Sequence, residues 1–136
     1  MAVNGQKNLE TVLVDFLGAL GHGDLDGVRA LLDPAVTWQG LREDWICHGP
    51  DEVMEWLEWG LERRRDIEGL ELIRAGDQVV MGARGPRIDA VADEPLEGQI
   101  FNVFTLRDGR IVRIEDYRHR SEALEAAGVA GDRGWR

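Results

Sequence analysis

The chain has 136 residues, 43% of them hydrophobic, an ordinary composition for one globular domain. Its formal net charge of -10 argues against nucleic acid and anionic membrane surfaces as partners, because both are bound through clustered cations. The arginines are scattered except at Arg63, Arg64 and Arg65, a run that suits a solvated helix end.

The first element is a helix: Leu9, Val12, Leu13, Phe16, Leu17 and Leu20 recur on one helical face, and Gly21 and Gly23 end it. A second short helix follows, capped by Asp24 and apolar at Leu25, Val28, Leu31 and Leu32, with Pro34 as its stop. Ala35 to Gln39 reads as extended, with Val36 and Trp38 on one face. A loop from Arg42 to Gly49 leads to a third helix. Pro50 fits its first position, and Asp51 and Glu52 favour its N-terminus. Val53, Met54, Trp56, Leu57, Trp59 and Leu61 make this helix apolar nearly all round, so it should be covered on more than one side.

After Arg65 the apolar period changes to two. Leu70, Leu72 and Arg74 alternate with Glu71 and Ile73, and Gly76-Asp77 makes a turn. Val79 to Ile88 reads as a strand broken at Gly85-Pro86. Gly98 to Leu106 is the next, Asp108-Gly109 a hairpin turn, and Ile111 to Arg118 the last long strand. Ser121 is the expected cap of a final helix ending near Gly128. Helices first and hairpin-linked strands afterwards argue an α+β domain with helices on one side of a curved, mostly antiparallel sheet. The strand from Gly98 is apolar on both faces, Ile100 and Phe104 on one and Phe101 and Val103 on the other. A sheet with one wet face does not read this way. A pocket inside and a partner subunit outside are both expected.

There is one cysteine, Cys47, so no intrachain disulfide can form, and a reducing cytoplasm is the simple expectation. The polar N-terminus has no apolar run of the signal-peptide kind, and no stretch reaches membrane-spanning length. His22, His48 and His119 have no zinc-motif spacing, and no phosphate loop, nucleophile elbow or dinucleotide fingerprint is present. Neither metal nor organic cofactor is expected.

Three stretches carry a family likeness. Gly23 to Pro34, Val36-Thr37-Trp38 followed by Gly49-Pro50-Asp51-Glu52-Val53, and Asp108 to Tyr117 together resemble, in order and spacing, the SnoaL-like branch of the nuclear-transport-factor-2-like (NTF2-like) superfamily. The likeness covers residues 8–128 as one domain and leaves 1–7 and 129–136 as tails. It implies a cone in which a bent sheet wraps the long helices around an apolar pocket, with the outer sheet face building a homodimer. The superfamily includes polyketide cyclases, ketosteroid isomerases, limonene-epoxide-hydrolase-like enzymes and non-catalytic binders, and fold does not choose among them.

Asp116 is the first candidate for chemistry. Val112, Ile114, Asp116 and Arg118 share one strand face, so the aspartate interrupts an apolar stripe. A desolvated carboxyl there suits a general acid or base; the plainer reading is a structural aspartate paired with arginine or capping the last helix. The likeness to the epoxide-hydrolase group implies that Arg84 holds this carboxylate, against the alternative of an exposed arginine at an irregular strand. That group also uses a second aspartate two residues beyond the arginine, where this chain has Pro86; Asp89 is nearby with the wrong parity. Its water-holding tyrosine and asparagine correspond to Trp38 and Gly40. Asn102 shares a face with Ile100 and Phe104 and should meet either a substrate carbonyl or Asp116. Trp38 and Trp56, with Ile100, Phe104 and Ile114, are the expected apolar wall, and Trp45 a lid. Tyr117 should face away from Asp116, and His48 should border the mouth.

The expected activity is therefore a cofactor-independent isomerase or cyclase acting on a small apolar organic molecule, with Asp116 moving a proton and Arg84 orienting it. The alternatives are a binder of a hydrophobic small molecule, or epoxide hydrolysis of the limonene type.

Overall fold

A computed structural model describes residues 9–63, 68–85, 88, 90–91 and 94–129. The expectations for Arg64, Arg65, Pro86, Asp89 and both tails to residue 7 and from residue 130 lie outside these.

Helix α1 (Leu9–Gly21) buries Val12, Leu13 and Phe16 and gives way at Gly23, whose φ of 71° suits glycine. Asp24 caps α2 (Leu25–Ala30) by accepting from the Gly27 amide. This helix is shorter than its apolar pattern suggests. Leu31 is its C-cap, and Leu32 already opens strand β1 (Leu32–Gln39). Pro34 therefore does not stop a helix but sits within β1, where the pairing shifts register between Leu32 and Thr37. A residue without an N–H is tolerated at such an irregularity.

The expected loop after Gln39 contains a short edge strand, β2 (Ile46–His48), paired antiparallel with Thr37 to Gln39. Helix α3 (Gly49–Arg63) follows. Its all-round apolar appearance is resolved differently from expectation: Val53, Met54 and Leu57 are buried, Trp56 and Trp59 are half-buried, and Glu52, Glu55 and Glu58 are exposed. The helix is covered on one side and carries an aromatic flank.

Strands β3 (Gly69–Ala75) and β4 (Gln78–Arg84) form a hairpin. A small separate hairpin, β5 (Ala90–Val91) with β6 (Glu94–Pro95), was not evident in the sequence. Strands β7 (Gln99–Arg107) and β8 (Arg110–Tyr117) turn at Asp108 and Gly109, both with positive φ (53° and 77°), as the tight hairpin requires. Helix α4 (Arg120–Ala126) is capped at His119 without a side-chain bond, so Ser121 lies inside its first turn rather than at the cap.

The main sheet has the order β2-β1-β8-β7-β4-β3. All its pairings are antiparallel except β1 with β8, which is parallel. It is curved and unclosed, the NTF2-like α+β architecture. Its inner face meets α1, α2 and α3 in one core that includes Phe16, Val36, Val53, Val79, Phe104, Ile111 and Ile114. Its outer face carries a second apolar cluster, Val80, Phe101 and Val103, packed under Ala123 and Leu124 of α4. The double-faced apolarity of β7 thus has an intramolecular cover on its outer side. Arg120 reinforces this lid with two hydrogen bonds to Glu71 of β3, at 2.8 and 3.1 Å.

Candidate functional site

Cross-strand register decides which side chains meet. Asp116 of β8 stands opposite Asn102 of β7, and Asn102 opposite Met81 of β4, which in turn faces Leu72 of β3. The neighbouring row is apolar throughout the centre: Trp38 of β1 beside Ile114, then Phe104 and Val79. Side chains alternate along strands, so both rows point inward. Asp116 and Asn102 are the two polar residues buried among the described core, each 7% exposed.

The Asp116 carboxylate is held by two neutral donors on one oxygen. Trp38 Nε1 donates to Oδ1 at 2.8 Å, and Asn102 Nδ2 donates to the same Oδ1 at 2.6 Å. Among the described residues no donor reaches Oδ2. Burial pushes the Asp116 pKa up to about 7, and the bonds from Trp38 and Asn102 pull only partly the other way. A carboxyl poised there can both give and take a proton near neutrality.

Tryptophans wall the site. The Trp38 ring meets Trp45 edge-on at 6.2 Å and Trp56 at 6.4 Å; Trp45 and Trp56 lie 4.5 Å apart, and Trp59 stacks on Trp56 at 4.5 Å. Trp45 is fixed by its loop. Gly40 N donates to Trp45 O at 2.9 Å, and Gln39 Nε2 reaches the carbonyls of Gly40, Arg42, Glu43 and Trp45. A side chain at Gly40 would collide with the Trp45 ring, its Cβ only 2.4 Å from Cε3.

The structure brings Asp116, Asn102, Trp38 and Trp56 together. Ile114 and Phe104 are fully enclosed one row deeper, Phe104 edge-on to Phe16 at 5.9 Å, so they form the floor of core beneath the carboxyl. Ile100 is half-buried one row further toward the sheet end, opposite Ala83. The sequence stripe on β8 is also modified: a register shift between Thr105 and Leu106 brings Ile111 inward beside Ile114, leaving Val112 half-buried.

Arg84 is not part of this group. It pairs with Gln99, an odd number of residues from the Met81–Asn102 pair, and so lies on the opposite face. It is exposed at the end of β4, its side chain lying across Gly69. The expected Arg84–Asp116 pair therefore does not form. His48 likewise points outward and is exposed, its amide bound to Glu52. Tyr117 faces outward as its parity requires, with its hydroxyl donating to Glu115.

Cys47 is the residue that sequence reasoning missed. It pairs with Trp38 across β1 and β2 and is buried near Asp116. Burial, with Glu52, Asp116 and Glu55, pushes its pKa up to about 11, so it is a neutral thiol and no nucleophile at physiological pH. The alternation of Ile46, Cys47 and His48 was its only signal, too short to distinguish a strand from a loop. Among the described residues no three His, Cys, Asp or Glu side chains cluster to hold a metal, and no helix is long and apolar enough to cross a membrane.

The model of the SnoaL-like domain matches residues 13–114, most of the chain. The chain belongs to the SnoaL-like domain family. No curated protein sequence matches it. Among solved structures it resembles an NTF2-like protein of unknown function from Cytophaga hutchinsonii, with a TM-score of 0.65 and 14% identity over 90% of this chain and 99% of that one. It also resembles a candidate polyketide cyclase from Sinorhizobium meliloti, with a TM-score of 0.61 and 21% identity over 79% and 94% of the two chains. A de novo designed protein with a curved β-sheet is similar to the same degree, TM-score 0.63 and 13% identity over 88% and 93%. A fold shared with a designed protein leaves the activity to be argued from the SnoaL-like site itself.

Proposed function

We propose that this SnoaL-like protein is a cofactor-independent isomerase or cyclase of a small apolar organic molecule, with Asp116 as its general acid and base. Its substrate has an acidified carbon–hydrogen bond, as next to a carbonyl. Asp116 Oδ2 takes that proton and returns it at another carbon or after ring closure. Asn102 keeps its second amide hydrogen and its carbonyl for the substrate. Trp56 and Ile100 offer apolar contact, with Phe104 and Ile114 beneath. The observation that carries this reading is the split carboxylate, with both donors on Oδ1 and none among the described residues on Oδ2. A purely structural aspartate in so dry a place is normally satisfied on both oxygens. The partner is thus a small molecule, and we extend the proposal to a homodimer in the cytoplasm.

A second reading is favoured by the aromatic packing. Four tryptophans already in mutual contact beside the carboxyl suit a binder whose walls do the recognition and whose aspartate only orients the ligand. Epoxide opening of the limonene type has less support, because Arg84 stands on the other face of the sheet.

The test is to incubate wild type and Asp116→Asn with a panel of apolar enones, polyketide-like esters and epoxides. Products, isomers included, are followed by chromatography and mass spectrometry, and binding by tryptophan fluorescence. Wild-type turnover that falls about a hundredfold or more in the variant, with binding kept, supports the enzyme. Binding by both proteins with turnover by neither supports the binder.

A further inference from the structure

We propose that Trp38 is a positioning residue for Asp116: its indole N–H pins Oδ1, its ring is wedged in place by Trp45 and Trp56, and Oδ2 is thereby selected as the oxygen that meets substrate. This rests on the reading of Asp116 as the proton-transferring group, and it reassigns Trp38 from the substrate wall to the machinery behind the carboxyl.

An indole has a single N–H, and that of Trp38 is spent on Oδ1 at 2.8 Å. It has no second donor to offer a ligand. Its ring meets two neighbours edge-on, Trp45 and Trp56, and Trp38 is only 9% exposed. A side chain this enclosed has little surface left for recognition. What it can do is hold direction. A carboxylate on an aspartate swings about two torsions, and one donor fixes one oxygen without fixing the plane. Two donors from different strands fix both: Asn102 approaches from β7 on one side and Trp38 from β1 on the other. Oδ2 then has one place to point.

The wedge extends to the loop. Gln39 is adjacent to Trp38 in β1, and its amide gathers the carbonyls that shape residues 40–45. That loop sets Trp45 against Trp38 and Trp56. The chain of contacts runs from Gln39 through Trp45 and Trp38 to Asp116. The titratable groups facing this assembly are Cys47 from β2 and, near Cys47, Glu52 and Glu55 from α3. Cys47 stays neutral across the range where Asp116 titrates, so the indole signal reports on the carboxyl.

The experiment needs no substrate and so stands apart from the test of turnover. The five tryptophan side chains each give one indole N–H signal in a ¹⁵N–¹H correlation spectrum. Trp38 is assigned in the wild type by correlating its indole N–H with its own backbone, and the assignment is checked by the signal missing from a folded Trp38→Phe. In the wild type, that signal is expected to move with pH along a single curve centred near 7 and to stay still in Asp116→Asn. Carbon-13 observation of the Asp116 carboxyl in Trp38→Phe is expected to place its midpoint about one pH unit higher, since a donor to the charged form has been lost. Trp59→Phe, which changes a ring stacked on Trp56 and leaves both donors to Asp116 in place, is expected to leave that midpoint unmoved. Once a substrate is known, Trp38→Phe is expected to lower kcat with little change in KM. A Trp38 signal that ignores pH in the wild type overturns the proposal, and this holds even where Trp38→Phe fails to fold. An unmoved Asp116 midpoint in a folded Trp38→Phe overturns it equally, as does a raised KM with kcat kept.

Discussion

Trp38 and Asp116 are 78 residues apart and meet through one hydrogen bond, indole Nε1 to Oδ1 at 2.8 Å. The contact exists because β1 runs parallel beside β8, setting Trp38 next to Ile114 and one step from Asp116. The protein tolerates a dry carboxyl there because two neutral donors share it, and the consequence is a proton held near neutrality.

That proton makes stability depend on pH with a definite sign. Folded Asp116 titrates at about 7, against an ordinary value of 3.8. Between those values the folded state holds a proton that the unfolded chain has released. Its contribution therefore favours the fold at low pH, declines as pH rises from about 4 to about 7, and is lost above, by on the order of 4 kcal/mol. Asp116→Asn keeps the shape and removes the titration. Urea unfolding at pH 4.5 and pH 8 is expected to show the variant gaining on the wild type by several kcal/mol at the higher pH. An equal difference at both values would mean that the carboxyl is well solvated.

Arg84→Gln separates this site from one built on an ion pair. Arg84 stands on the outer face, so its neutralisation is expected to leave the Asp116 carboxyl midpoint within about 0.3 pH units of the wild type, as befits charges separated by the sheet and screened by solvent. Carbon-13 titration checks it. A clear rise would mean that the guanidinium supports the carboxylate after all.

Gly40→Ala tests the strap that sets Trp45. The added methyl group would fall 2.4 Å from the Trp45 ring, so the ring or the loop must move. We expect a loss of about 1–3 kcal/mol, as for overpacking elsewhere, together with weaker aromatic near-ultraviolet dichroism as the tryptophan contacts open. Thermal melts and the spectrum give the two readings.

Leu124→Ala tests the cover on the outer face. Leu124 is 2% exposed against Phe101 and Val103. Truncation is expected to cost about 2–5 kcal/mol, measured by urea unfolding, and to loosen α4 over the sheet. The Asp116 midpoint should not move, because α4 and the carboxyl are on opposite faces.

Much of the fold was legible because it is written in local periodicity. α1, the turn at Asp108-Gly109 and the alternation of β7 and β8 follow from residues a few positions apart. The inward parity of Asn102 and Asp116 came from the same alternation. What was not legible depends on pairing between distant segments. The parallel alignment of β1 with β8 has no hairpin to announce it, so the Trp38–Asp116 bond could not be seen. The register shift that brings Ile111 inward is a property of two strands together. Arg84 was misplaced by resemblance, although its parity relative to Met81 follows once β4 is aligned on β7. The outer face of β7 suggested a partner subunit because the covering role of a helix as short as α4 is not visible in its seven residues.

Asp116 is proposed to move a proton to and from carbon. The most direct measurement is deuterium uptake from heavy water by a panel of apolar ketones, enones and β-dicarbonyl compounds, with wild type and Asp116→Asn side by side. It detects abstraction even where no net product forms. Wild-type exchange near neutral pH is expected into at least one compound that binds, falling about a hundredfold or more in the variant. Bound compounds that exchange at the same rate with both proteins, or with neither, would contradict that role of Asp116.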